Sequence, residues 1–185
     1  MSFMNRFSGR KFTGFFLVDC NNFFASCERI FRPDFQHKPV AILSNNDGCI
    51  IARSREVKAM GIPMGQPYFK AKKVLDAHDA VVLSSNFELY ADISHRVMQR
   101  LARFYVDLEI YSVDEAFIYA VDVQHPEAMA KAIREDIQRC VGLPVSVGFG
   151  PTKTLAKLAN SLAKKSEEGV FSFRSVPGQL TLSNV

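Results

Sequence analysis

Short apolar runs alternate along this chain with stretches of helical period, and that alternation restricts it to a mixed fold in which helices cover a sheet. Phe15-Phe-Leu-Val18 reads as a buried strand that ends on Asp19, followed by a helical pattern from about Asn22 to Phe31. Further strands are predicted at 40–43, 49–52, 81–84, 108–112, 116–121, 145–149 and 170–173, the last as an edge strand. Helices are predicted over about 53–60, 68–75, 87–104, 127–141 and 152–163. In the third of these, Leu89, Ile93, Val97, Leu101 and Phe104 form one stripe and Asn86 stands where a cap belongs. Residues 1–13 have no clear period and read as a disordered leader.

With residues 32–84 set aside, the order is strand, helix, strand, strand, helix, strand. This is the ferredoxin-like split βαβ arrangement, an α+β fold with an antiparallel sheet backed by helices and a small subdomain inserted in it. Such a sheet places the first strand beside the hairpin of 108–121, so Asp19 faces Asp114 and Glu115 across neighbouring strand ends. An acid at the exit of a buried strand needs a cation or several donors. Three hard carboxylates without a nearby histidine or thiolate suit Mg²⁺ or Mn²⁺, and two such ions about 3.5–4 Å apart fit phosphoryl transfer. The bland alternative, acids that solvate a hairpin turn, has even weight for Asp114 and Glu115 and less for Asp19.

Composition removes other classes. With 48% hydrophobic and 23% charged residues the chain is globular, and it has neither a membrane-length apolar stretch nor a signal peptide, so a soluble, cytosolic protein without a membrane partner is expected. Cys20, Cys27, Cys49 and Cys140 lack zinc or disulfide spacing. The formal charge of +4 is unevenly spread, with basic segments on either side of an acidic middle at 61–150.

Val18-Asp-Cys-Asn-Asn-Phe-Phe-Ala-Ser-Cys-Glu28 and Tyr111-Ser-Val-Asp-Glu-Ala-Phe117 resemble the two metal-binding motifs of Y-family translesion DNA polymerases, most closely the UmuC subgroup. Lys38-Pro-Val-Ala-Ile-Leu-Ser-Asn-Asn-Asp-Gly-Cys-Ile-Ile-Ala-Arg53, Ser84-Ser-Asn-Phe-Glu-Leu-Tyr-Ala-Asp92 and Val147-Gly-Phe-Gly-Pro-Thr-Lys-Thr-Leu-Ala-Lys-Leu-Ala-Asn160 extend the resemblance, in order, over nearly the whole chain.

The resemblance implies a palm at 14–23 and 85–185 and fingers at 24–84, with thumb and little finger absent. It implies two Mg²⁺, replaceable by Mn²⁺, on Asp19, Asp114, Glu115 and the backbone carbonyl of Cys20. Phe24 would be the steric gate against a ribose 2′-OH, with Phe23 beside it, although aromatic residues on a helix's first turns are more often plain core. Arg53, Arg55, Lys58 and Lys164 would meet the triphosphate of the incoming dNTP, and Lys153 and Lys157 the phosphates of primer-template DNA. Processed UmuD, a RecA filament and the sliding clamp are implied as partners of a full-length member. The leading expectation is the catalytic portion of an error-prone polymerase in SOS DNA repair. The alternatives are a nucleotide cyclase, which the fingers-like insertion argues against, and a non-catalytic regulatory fragment that binds DNA or a protein.

Overall fold

In this computed structural model the backbone is described for residues 11–176 and 179–183 and the side chains for 11–173. The chain divides into two compact units, one of residues up to Cys20 and from Arg96 onward, the other Asn21–His95.

The first unit is built on a six-stranded sheet in the order β5-β6-β1-β7-β8-β9. Its strands are β1 (Phe12–Cys20), β5 (Leu108–Ile110), β6 (Glu115–Val123), β7 (Val145–Gly150), β8 (Val170–Val176) and β9 (Gln179–Ser183). β1 lies between β6 and β7 and is antiparallel to both, and β5 is antiparallel to β6, which is the ferredoxin-like order expected. Two departures extend that sheet. β8, expected at the edge, pairs parallel with β7 after the crossover helix α6 (Lys153–Ala163), and β9 covers it antiparallel. The sequence reading missed β9, although Pro177-Gly178 between two alternating runs is a hairpin signal.

Strand β1 also begins earlier than Gly14. Phe12 pairs with Val123, and its ring meets Phe16 and Phe149 edge-on at centroid distances of 5.5 and 5.2 Å, so apolar packing claims the last residues assigned to the leader. The rest of that leader, residues 1–10, lies outside the described residues.

α6 sits very close to the sheet. A Cβ on Gly148 would fall inside the backbone of Ala156 and Asn160, so glycine is what lets helix and strand touch. The buried Asn160 then donates through Nδ2 to the carbonyls of Leu17 (3.1 Å) and Ser146 (2.9 Å), tying α6 to β1 and β7. Thr152 caps α6 by accepting from the Leu155 amide at 3.2 Å. α5 (Pro126–Val141) starts with proline at its first position and ends on Gly142 at φ 83°, the left-handed stop the sequence signals.

The second unit contains a three-stranded sheet, β3-β2-β4, formed by β3 (Ile50–Arg53), β2 (Val40–Leu43) and β4 (Val81–Ser84), with β2 parallel to β4. Helices α1 (Phe23–Phe31), α2 (Arg55–Ala59) and α3 (Tyr68–Ala77) accompany it. Ala41, Leu43, Ile50, Val57, Ile62 and Leu75 form its core. α2 is shorter than the 53–60 expected because Arg53 still belongs to β3, where it pairs with Ala41. α4 (Phe87–Leu101) begins where Asn86 accepts from the Leu89 amide and stops a turn short of Phe104. Its first turns belong to this unit, so the unit reaches beyond the expected 24–84. Among the described residues no helix is long and apolar enough to cross a membrane.

Candidate active site

Within the first unit the register of β1 and β6 pairs Asp19 directly with Glu115. The Cys20 amide donates to the carbonyl of Asp114 at 2.9 Å, so all three acids fall at one end of adjacent strands. Ser112 shapes the approach to β6. Its Oγ accepts from the amides of Asp114 (3.3 Å) and Glu115 (3.1 Å) and stands 2.7 Å from Asp114 Oδ1, to which it donates. Sequence reasoning overlooked this serine; the signal available was a hydroxyl two residues before an acid in a tight turn.

Asp19 is 3% exposed, and burial pushes its carboxyl up to about 7. Lys164, at the C-terminal end of α6, pulls the other way by donating to Asp19 Oδ2 at 2.6 Å, while the neighbouring Glu115 adds a further upward push. Lys157 stands 3.8 Å from Glu115 Oε2 and 3.9 Å from the centre of the Tyr111 ring. Lys153 is bonded to Glu109 at 2.5 Å, on the more distant strand β5. Three lysines of α6 thus meet acids of β1, β6 and β5 in turn.

Each acid has a partner of its own: Asp19 is bonded by Lys164 and Asp114 by Ser112, and Lys157 is the cation beside Glu115. Among the described residues no three His, Cys, Asp or Glu side chains form a set able to hold a metal ion. The donor chemistry still fits a divalent cation. A buried carboxylate whose proton affinity is raised by desolvation has a strong need for positive charge, and Asp19 and Glu115 present only hard oxygen.

The remaining expected residues lie in the second unit. Asn22 takes a left-handed turn at φ 51°, after which α1 carries Phe23 inward and Phe24 to a half-buried position. Phe23 is 4% exposed, so it is core that backs Phe24, their centroids 5.7 Å apart. Lys58 Nζ donates to Asn22 Oδ1 at 2.6 Å, close in sequence to Phe24, and Arg55 is exposed at the start of α2. Arg53 is differently employed: its Nη1 donates to the Ile62 carbonyl at 2.5 Å, and its buried Nε has no hydrogen-bond partner among the described residues. That guanidinium fastens the segment after α2.

The impB/mucB/samB family model matches residues 18–161. Protein UmuC of Salmonella typhimurium is 47% identical over 92% of this chain and 40% of its own length. DNA polymerase IV 1 of Bacillus subtilis is 33% identical over 88% of this chain and 40% of its own. Among solved structures, DinB from Sulfolobus solfataricus superposes with a TM-score of 0.74 at 26% identity, covering 86% of this chain and 48% of that one. The chain therefore spans about 40% of the length of the curated relatives it matches.

Proposed function

Because the chain belongs to the impB/mucB/samB family, we propose that it is the metal- and nucleotide-binding portion of a template-directed, error-prone DNA polymerase of the translesion type. The observation that carries this reading is the buried carboxylate of Asp19 set against Glu115 at the ends of two central strands, with Asp114 one residue away. In the reaction the primer 3′-oxygen forms a bond to the α-phosphorus of a dNTP, the α–β bridging bond breaks, and pyrophosphate leaves.

Asp19, Asp114, Glu115 and the Cys20 carbonyl are the groups to hold Mg²⁺ or Mn²⁺. Bound there, such ions would make the 3′-hydroxyl more acidic and neutralise charge on the transferred phosphoryl group. Lys164 already reaches a carboxylate at this strand end, and once a cation takes over Asp19 its ammonium is available to a triphosphate. In the second unit, Phe24 screens the sugar and Lys58 and Arg55 supply phosphate contacts. Arg53 and Phe23 act behind them, holding backbone and ring. Lys153 and Lys157 have their primary contacts with Glu109, Glu115 and aromatic rings, which leaves DNA phosphates as a second role. On the same reading a full-length protein works in the cytosol with processed UmuD, a RecA filament and the sliding clamp.

Titration with Mn²⁺ and a non-hydrolysable dNTP, beside Asp19→Ala, tests the site. Carboxylate-dependent binding followed by primer extension establishes polymerase chemistry in this chain. Binding without extension marks a site that needs further DNA contacts. Absence of metal-dependent binding overturns the reading in favour of a regulatory fragment.

A further inference from the structure

Phe24 has a built support. Its ring stacks on Tyr90 with centroids 4.3 Å apart and planes 12° from parallel. Phe87, half exposed at the start of α4, presents itself edge-on to both rings, with centroids 6.0 Å from each. Tyr90 is in turn immobilised. It is 2% exposed, and its hydroxyl donates to Glu28 Oε1 at 2.8 Å. Glu28 lies one helical turn beyond Phe24 on α1, so the same helix carries the supported ring and the carboxylate that anchors its support. Burial and the neighbouring carboxylate both keep the Tyr90 phenol protonated, the form that donates.

A ring that discriminates sugars by a single hydroxyl must be held within about 0.5 Å of its working position. A phenylalanine half open to solvent does not achieve that by its own two torsions. A parallel face on one side and an edge contact on another remove the alternatives.

We infer that Tyr90 is a positioning residue for sugar discrimination, its ring fixing Phe24 in the gating orientation, with Glu28 and Phe87 holding Tyr90 in register. The inference rests on the reading of Phe24 as the sugar screen. Tyr90 acts through Phe24 alone, so its loss admits ribonucleotides without weakening the hold on deoxynucleotides.

The test measures dissociation constants of the whole chain for dCTP and CTP with Mn²⁺, by competition against a fluorescent dNTP. The variants are Phe24→Ala, Tyr90→Leu, Tyr90→Phe and Phe87→Ala. Tyr90→Leu is expected to reduce the CTP/dCTP ratio about three- to ten-fold, the range set by an aromatic pair, almost wholly by tighter CTP binding. Tyr90→Phe keeps the platform and restores the ratio to near the wild-type value, whereas a merely structural loss weakens both nucleotides together. If Phe24→Ala abolishes discrimination while Tyr90→Leu and Phe87→Ala retain it, the positioning role is refuted and the gate survives. If Phe24→Ala leaves the ratio unchanged, or the wild type shows no preference, the gate reading fails and this inference with it. Should Tyr90→Leu not fold by circular dichroism, the half-exposed Phe87→Ala decides, an unchanged ratio overturning the proposal.

Discussion

Asp19 occupies a strand position that its neighbours Leu17, Val18 and Cys20 fill with buried apolar side chains. Its carboxyl is raised to about 7 first by desolvation, and Lys164 moderates that rise through a hydrogen bond and its charge. Lys164→Met is therefore expected to move the Asp19 titration upward, and Glu115→Gln to move it downward by removing a like charge. Carboxyl ¹³C shifts followed against pH in chelator-treated buffer read both directly; an upward shift from Glu115→Gln, or none from Lys164→Met, contradicts the assignment of causes. At this scale the acid itself was legible in the sequence, because a carboxylate ending an apolar run must be compensated. Its compensator was legible as a cation but not as a partner of Asp19, since 145 residues separate the two and only the fold closes that distance. The lysines of α6 show the same limit. Their helical spacing was visible, while the acids they meet stand on three different strands.

Among elements, the junction of α6 with β1 and β7 sets where Lys164 ends up. Gly148 permits the close approach and Asn160 fixes it by satisfying two backbone carbonyls at once. Gly148→Ala forces the helix off the sheet and is expected to cost about 2 kcal/mol or more, because the clash is with backbone that no rotamer change can relieve. Urea unfolding measures the loss, and a variant within a few tenths of wild type would show that α6 can shift freely. The same displacement carries Lys164 away from Asp19, so the Asp19 titration should rise in parallel. Most helices and strands were readable from period and capping, as the apolar stripe of α4 and its Asn86 cap illustrate. Boundaries failed where tertiary pairing decided them: Phe12 joins β1 through aromatic packing, and Arg53 stays in β3 through its pairing with Ala41. Tyr90 and Glu28 were within the matched motifs, yet helical stripes and acids are so common that only their stacking and hydrogen bond mark them out.

Over the whole molecule, two acids give the pH dependence of stability opposite signs. Asp136 on α5 accepts from Arg100 Nε at 2.8 Å and Nη2 at 2.5 Å, which holds its carboxyl below the usual range. Its contribution is complete above the unfolded value of about 4 and is lost as pH falls through the depressed folded value. Asp19 behaves oppositely. Between about 4, where the unfolded carboxyl titrates, and about 7, where the folded one does, the native state keeps a proton that the unfolded chain has released. Raising the pH across that window therefore favours unfolding. Together the two place the stability maximum on the acid side of neutrality when divalent ions are withheld by chelator. Urea unfolding of the chain at a series of pH values should show a decline from about pH 5 to 7.5 that disappears in Asp19→Asn, and a decline below about pH 4 that is diminished in Asp136→Asn. A site residue that costs stability at neutral pH is what a cation-binding carboxylate should be, so Mn²⁺ is expected to reverse the neutral-side decline in the wild type and to leave Asp19→Asn unchanged. Equal stabilisation of both by Mn²⁺ would place the ion elsewhere.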